Sequence, residues 1–201
     1  MKNQIIVIHG GDCFETYEDY VSHLKNQEID FERLKRKNWK TTLGEKLREK
    51  FEVIMLNMPN SANARYSEWK IWFKKLTPFF EDEVVLVGHS LGGIFLAKYL
   101  SENNFPKRIL AIFLIAAPYD TEGTECSLVD FALAEPLDKL REQGGKIFLY
   151  HSEDDPVVPF NNLKKYKKAL PNATARIFKN REHFQQEELP EIVADIKMLY
   201  D

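Results

Sequence analysis

Short apolar runs rich in β-branched residues alternate along the chain with longer amphipathic stretches, a pattern that predicts a parallel sheet covered by helices on both faces. The expected strands are residues 4–8, 52–56, 84–87, 109–115, 146–150 and 174–178, six in all and enough for one sheet. Between them, Thr42 and Glu45 stand at capping-box spacing ahead of a Leu43, Leu47 stripe, which predicts a helix running to about Phe51. Residues 66–76 carry Trp69, Trp72, Phe73 and Leu76 at helical spacing and read as a helix whose aromatics pack into the core. Further helices are expected at 91–100, at 161–170 before Pro171, and at 189–199, where the last would close the sheet. Two connections are long. Residues 14–38 read as an insertion with helix of its own that could overhang a site, and residues 118–145 leave room for only a small lid.

A chain of 201 residues can bury roughly 70% of the surface its unfolded form exposes, so one domain, 1–201, is expected. With 44% hydrophobic, 12% aromatic and 29% charged residues, the composition excludes disordered and fibrous classes. The formal net charge of −3 argues against a polyanionic partner. Basic clusters at Arg33, Lys35, Arg36 and Lys37, and at Lys164, Lys165, Lys167 and Lys168, lack interleaved aromatics and read as solvated helix faces, not as a surface for nucleic acid or anionic lipid. Cys13 and Cys126 are the only cysteines; they build neither a disulfide framework nor a zinc cluster and point to a reducing compartment. The first apolar run, Ile5-Ile6-Val7-Ile8, is far shorter than a signal core or a membrane span, so the cytoplasm is the expected location and no membrane partner is expected.

Gly88-His89-Ser90-Leu91-Gly92 follows an expected strand directly and opens an apolar helical stretch. This is the G-x-S-x-G pattern in a strand-turn-helix setting. A serine on so sharp a turn brings the incoming strand against the outgoing helix, where side chains at Gly88 and Gly92 would collide. The serine oxygen then stands clear above the sheet, and the Leu91 N–H at the helix start points to where an oxyanion would form. Read as a helix cap, Ser90 would instead spend its hydroxyl on the helix amides. His89, tied to the turn, reads as structural.

A serine hydroxyl needs a base to take its proton and an acid to orient that base. In the fold this motif implies, they follow in the order Ser, Asp or Glu, His, on loops beyond later strands. The fifth strand is followed by His151-Ser152-Glu153-Asp154-Asp155-Pro156, and the sixth by Asn180-Arg181-Glu182-His183-Phe184. His183 alone among five histidines lies after the acid and beyond the last strand; His9, His23, His89 and His151 do not. Asp155 is the preferred acid, with Asp154 and Asp120 as alternatives and a plain turn before Pro156 as the bland reading. His9-Gly10-Gly11 ends the first strand, where the Gly11 N–H is the candidate second oxyanion donor; the spacing fits no phosphate-binding loop. The fold class expected is therefore a three-layer α/β-hydrolase fold of about six mostly parallel strands, helices on both faces and a minimal lid.

These residues resemble the retinoblastoma-binding protein nine / YdeN family of small serine α/β hydrolases. The likeness covers most of the chain: His9-Gly10-Gly11, Asn57-Met58-Pro59, Gly88-His89-Ser90-Leu91-Gly92-Gly93, Asp154-Asp155-Pro156 with Pro159, and His183-Phe184-Gln185. It implies a triad of Ser90, Asp155 and His183, esterase-like activity and no metal or organic cofactor. Two departures stand out. Glu182 occupies the position before the histidine where such enzymes commonly carry glycine, placing a carboxylate where it could raise the imidazole pKa, and the 14–38 segment looks inserted. The expected function is hydrolysis of a small acyl ester by Ser90, with Asp155 and His183 behind it and Gly11 and Leu91 holding the oxyanion. The competing class is a binding protein that keeps the scaffold and works through a protein partner, as the family's name reflects.

Overall fold

Parallel strands buried on both faces read as nearly continuous apolar runs, and the chain builds its sheet from such runs. The computed structural model describes residues 2–122, 127–133 and 136–200; Cys126 and the side chain of Arg33 lie outside the described residues. The strands are β1 (Asn3–Ile8), β2 (Phe51–Leu56), β3 (Val84–His89), β4 (Ile109–Ile115), β5 (Lys146–Ser152) and β6 (Thr174–Phe178). They lie in the order β2-β1-β3-β4-β5-β6, every pair parallel. All six expected strands are present, several longer by a residue or two. The described helices are α1 (Tyr17–Asn26), α2 (Phe31–Lys35), α3 (Trp39–Leu47), α4 (Tyr66–Leu76), α5 (Leu91–Glu102), α6 (Asp138–Gln143), α7 (Asn161–Ala169) and α8 (Pro190–Lys197).

Alternate residues of each strand serve opposite faces. Ile6, Ile8, Leu86, Ile112 and Leu114 pack with Trp69 and Phe73 of α4, Phe95 of α5 and Tyr166 of α7. Ile5, Val7, Val85, Val87 and Phe113 pack with Trp39 and Leu43 of α3 and with Ile192 and Ile196 of α8. The result is the three-layer α/β-hydrolase architecture that the alternation foretells. Helix α8 is tied down by charge as well: buried Asp195 accepts from Tyr150 at 2.5 Å and from Arg176 at 2.6 and 2.9 Å. Asp130 caps α4 from a distant loop, accepting from the Tyr66 and Ser67 amides at 2.8 and 3.2 Å. Among the described residues no helix is long and apolar enough to cross a membrane.

Register places the site. Ile8 of β1 lies beside Leu56 on one side and Gly88 on the other. The chain leaves β1 outward to β2 and returns to β3 on the other side of β1, so the carboxyl ends of β1 and β3 flank the point where strand order reverses. In open α/β sheets ligands bind in that crevice. Residues 9–11 and Ser90 sit at its two rims.

Three sequence expectations are corrected. Helix α3 begins earlier than the Thr42–Glu45 spacing suggests: Asn38 is its cap, accepting from the Lys40 and Thr41 amides, while Thr41 closes the reciprocal half of the box. Thr42 sits inside the helix and donates to the Glu187 carbonyl at 2.7 Å. Trp72 is 43% exposed, because α4 turns only Tyr66, Trp69 and Phe73 fully into the core. The 14–38 segment does form helix, but α1 buries none of its residues, and none of residues 14–38 is among those lining the cavity described below.

Trp69 is fully buried, packs edge-on against Phe95 and Phe131, and donates from Nε1 to the Pro59 carbonyl at 2.8 Å. Trp69→Ala should cost about 3–5 kcal/mol, whereas Trp72→Ala should cost well under about 1 kcal/mol. Urea unfolding of the two variants checks both; a similar loss for each would contradict the orientation of α4.

Candidate active site

Ser90 sits between β3 and α5 with φ 54° and ψ −121°, a backbone conformation that side chains rarely adopt and that the surrounding packing must hold. Its amide donates to the Ile115 carbonyl at 2.8 Å, and its carbonyl accepts from Gly93 and Ile94 at 2.8 and 3.3 Å. Its side chain makes no capping bond to α5, so the hydroxyl is not spent as a helix cap. The crowding is real. A Cβ on Gly92 would lie 2.5 Å from the Ile8 carbonyl oxygen and 2.6 Å from that of His9, and one on Gly88 would strike the Gly92 carbonyl and lie 2.7 Å from Gly93 Cα. Gly10 lies against the serine, since a Cβ there would be 3.2 Å from Ser90 Cβ. Gly11 neighbours Leu91 in the same way, at 3.3 Å from its Cδ2.

His183 follows β6, and its Nδ1 lies 2.9 and 3.0 Å from the two carboxylate oxygens of Asp155. Nδ1 therefore carries a proton and donates it, which leaves Nε2 as the basic nitrogen. The Asp155 carboxylate is itself fixed by the amides of Val157 and Val158 at 2.8 and 2.9 Å, and its side chain is fully buried. The two alternative acids are occupied elsewhere. Asp154 accepts from the Ser152 hydroxyl at 2.5 Å and from the Glu182 amide at 3.1 Å, and the Ser152 bond holds its carboxyl below the usual range. Asp120 pairs with Lys165 at 2.7 Å.

The loop bearing His183 is clamped from beneath by α3 and by His89. His89 Nε2 donates to the His183 carbonyl at 2.9 Å, Trp39 Nε1 to that of Phe184 at 2.9 Å, the Trp39 amide to that of Gln186 at 2.8 Å, and Thr42 to that of Glu187. His89 is thus structural, as its place in the turn implied, and burial with Lys40 and His183 nearby holds its pKa well down. With Nε2 donating, its Nδ1 lone pair faces Lys40 Nζ at 3.4 Å. His9 is likewise engaged in structure: Nε2 accepts from the Met58 amide at 3.0 Å and Nδ1 donates to the Gly10 carbonyl at 2.6 Å. His151 is buried, bonds the Val158 carbonyl at 2.9 Å, and is pushed down in pKa by that burial. Glu182 adopts φ 45°, a left-handed conformation that glycine takes more readily than a residue with a side chain. The Glu182 side chain is exposed, and the carboxylate bonded to the His183 ring is that of Asp155.

Ser90, His183, Gly10, Gly11 and Leu91 line one cavity of about 420 Å³, together with Asp12, Lys40, His89, Ser127, Leu128 and Gln185. Asp155 reaches it through the His183 ring. Sequence reasoning missed Asp12 and Lys40, while Gln185 entered only within the His183-Phe184-Gln185 motif; Lys40 lies ahead of the helix expected from Thr42, and nothing local marks it. Burial raises the Asp12 carboxyl, with His23 and His183 opposing, and lowers the Lys40 ammonium to about 8. Among the described residues no group of three histidine, cysteine or acidic side chains is placed to hold a metal ion.

A family model described as serine hydrolase matches residues 31–189. The ydeN gene product of B. subtilis is similar in structure over 99% of each chain, with 18% identity and a TM-score of 0.77. A lipase-esterase related protein from Clostridium acetobutylicum matches with 12% identity and a TM-score of 0.64, over 99% of this chain and 94% of its own. The esterase domain of a Rhodothermus marinus protein matches with 16% identity and a TM-score of 0.59, over 91% of this chain and 78% of its own. At such identities these likenesses speak to fold. No curated protein matches the sequence.

Two outcomes follow from the local physics. Glu182→Gly relieves a left-handed residue and should raise stability by up to about 1 kcal/mol, read as a higher Tm; a lower one would contradict strain at this position. Lys40 falls from 10.5 unfolded to about 8 folded, so between those values the unfolded chain holds the proton that the native one has lost. Stability relative to Lys40→Met should therefore rise with pH across that window and stay flat below it, as urea titrations from pH 7 to 10 would show.

Proposed function

Because the chain belongs to the serine hydrolase family, we propose that it is a carboxylesterase-like enzyme that cleaves small acyl esters through Ser90, His183 and Asp155. The observation carrying this reading is that Ser90 and His183 line one cavity while Asp155 holds His183 Nδ1. In the proposed cycle His183 Nε2 takes the hydroxyl proton as Ser90 Oγ adds to the ester carbonyl, and the imidazolium is stabilised by the Asp155 carboxylate. The tetrahedral oxygen accepts from the Leu91 and Gly11 N–H groups, the first reinforced by the start of α5. Collapse expels the alcohol, which takes the proton from His183 and leaves an acyl ester on Ser90. Water then adds in the same way, its proton passing to His183, and the carboxylic acid leaves as Ser90 recovers its hydrogen.

The clamp beneath residues 183–187 supports this reading, since a base must be held within a fraction of an ångström of its partner to be effective. A cavity of about 420 Å³ lies toward the small end of ligand sites and favours short acyl groups over long lipids. Nothing in the cycle calls for a metal or an organic cofactor.

A fluorophosphonate probe should label wild type at Ser90 and leave Ser90→Ala unlabelled. On p-nitrophenyl butyrate, Ser90→Ala should lose at least about 10³-fold in kcat/KM, and Asp155→Asn, which keeps the shape but reverses the histidine's hydrogen-bond preference, about 10²- to 10⁴-fold. Rates equal to wild type for Ser90→Ala would remove the hydrolase reading and favour a binding role.

A further inference from the structure

Hydrolysis of a neutral ester gives Lys40 nothing to do, yet Lys40 lines the same cavity as Ser90 and His183. It is only 8% exposed, its Nζ sits 5.3 Å from the centre of the Trp39 indole, and its hydrogen bond to protein among the described residues is the one to His89 Nδ1 at 3.4 Å. Among the described residues it forms no ion pair. An ammonium carries three donors, so two are left for whatever fills the cavity. Burying a charge with no opposite charge beside it costs stability, and bonding His89 does not require it, because a neutral donor would satisfy the same lone pair. The charge fits a counter-ion that arrives with the ligand.

We infer that Lys40 is a specificity residue that binds a carboxylate carried by the ester itself, so that the substrates are acidic esters. This deepens the hydrolase reading and rests on it for the word substrate. A single cation, with the Asp12 carboxylate on the same cavity wall, suits a monoanion and not a phosphate dianion, which fixed arginine forks or several cations ordinarily hold. The carboxylate can sit on either side of the scissile bond: on the acyl part, as in a monoester of a dicarboxylic acid, or on the alcohol part.

Two substrate pairs separate these forms. The p-nitrophenyl monoester of adipic acid is compared with its methyl ester, and 4-acetoxybenzoate with methyl 4-acetoxybenzoate. Wild type should prefer the acid member of at least one pair by tenfold or more in kcat/KM, and the pair that responds identifies the side. In Lys40→Met that ratio should fall to about one, while Lys40→Arg, which keeps the charge, should retain part of it. A wild-type ratio at or below one in both pairs, with neutral esters still cleaved, overturns the proposal and leaves the hydrolase reading standing. Calorimetric titration of Ser90→Ala with the two acid esters covers the converse. Binding that a second Lys40→Met substitution weakens at least tenfold, in a protein whose wild type cleaves no ester, would sink the hydrolase reading and keep the carboxylate site. Binding of acid and neutral esters with equal affinity would overturn the proposal without reference to turnover.

Discussion

Everything at this site depends on a steric constraint: the ends of β1 and β3 and the first turn of α5 meet at contact distances that leave no volume for a side chain. Gly92 lies against the carbonyls of residues 8 and 9, and Gly88 against the backbone of Gly92 and Gly93. The constraint drives Ser90 into a conformation with positive φ and keeps its side chain off the helix amides. It also sets Gly10 against the serine, so the loop after the first strand and the turn after the third form one wall. Strain of this kind persists only where packing over-determines it, and here the packing is the centre of a six-stranded sheet with an apolar layer on each face.

The opposite wall is held by hydrogen bonds instead of by crowding. Four carbonyls between residues 183 and 187 accept from His89, Trp39 and Thr42, so the loop carrying the imidazole has little freedom despite lacking regular structure. Asp155, pinned by two amides of its own turn, fixes the ring from the side. Lys40 joins the two systems, because it bonds the residue that precedes Ser90 and lines the space in front of it.

Much of this was legible in the chain. The strand pattern survives into the structure with its ends barely moved, since the four inner strands, buried on both faces, are apolar almost throughout, while the edge strands β2 and β6 keep enough apolar positions to be seen. The tight turn at residues 88–92, the placing of Asp155 and His183 on the loops after β5 and β6, and the glycine-rich end of β1 were readable because each lies at a strand end. What could not be read depends on partners far away in sequence. Trp39 bonds Phe184 and Thr42 bonds Glu187, each pair 145 positions apart, and no periodicity announces such a pairing. Helix α3 therefore seemed to start at Thr42, whereas Asn38 caps it. The exposed Trp72 shows the same limit from the other side: helical spacing marks four apolar positions on α4, and only the neighbours decide which of them go inward. Between Asp154 and Asp155, adjacent and chemically alike, spacing offers no choice; the geometry separates them because one turns to Ser152 and the other to His183.

The order of the strands bears on how the molecule comes into being. β1 lies between β2 and β3, and its partner toward the rest of the sheet arrives some eighty residues later, so the contacts that matter are long in sequence and their loop-closure entropy must be met early. During synthesis Ser90 emerges well before the segment that carries His183. The wall that carries Ser90 and the wall that carries His183 are thus made about ninety residues apart, and the cavity between them can close only once both have been synthesised.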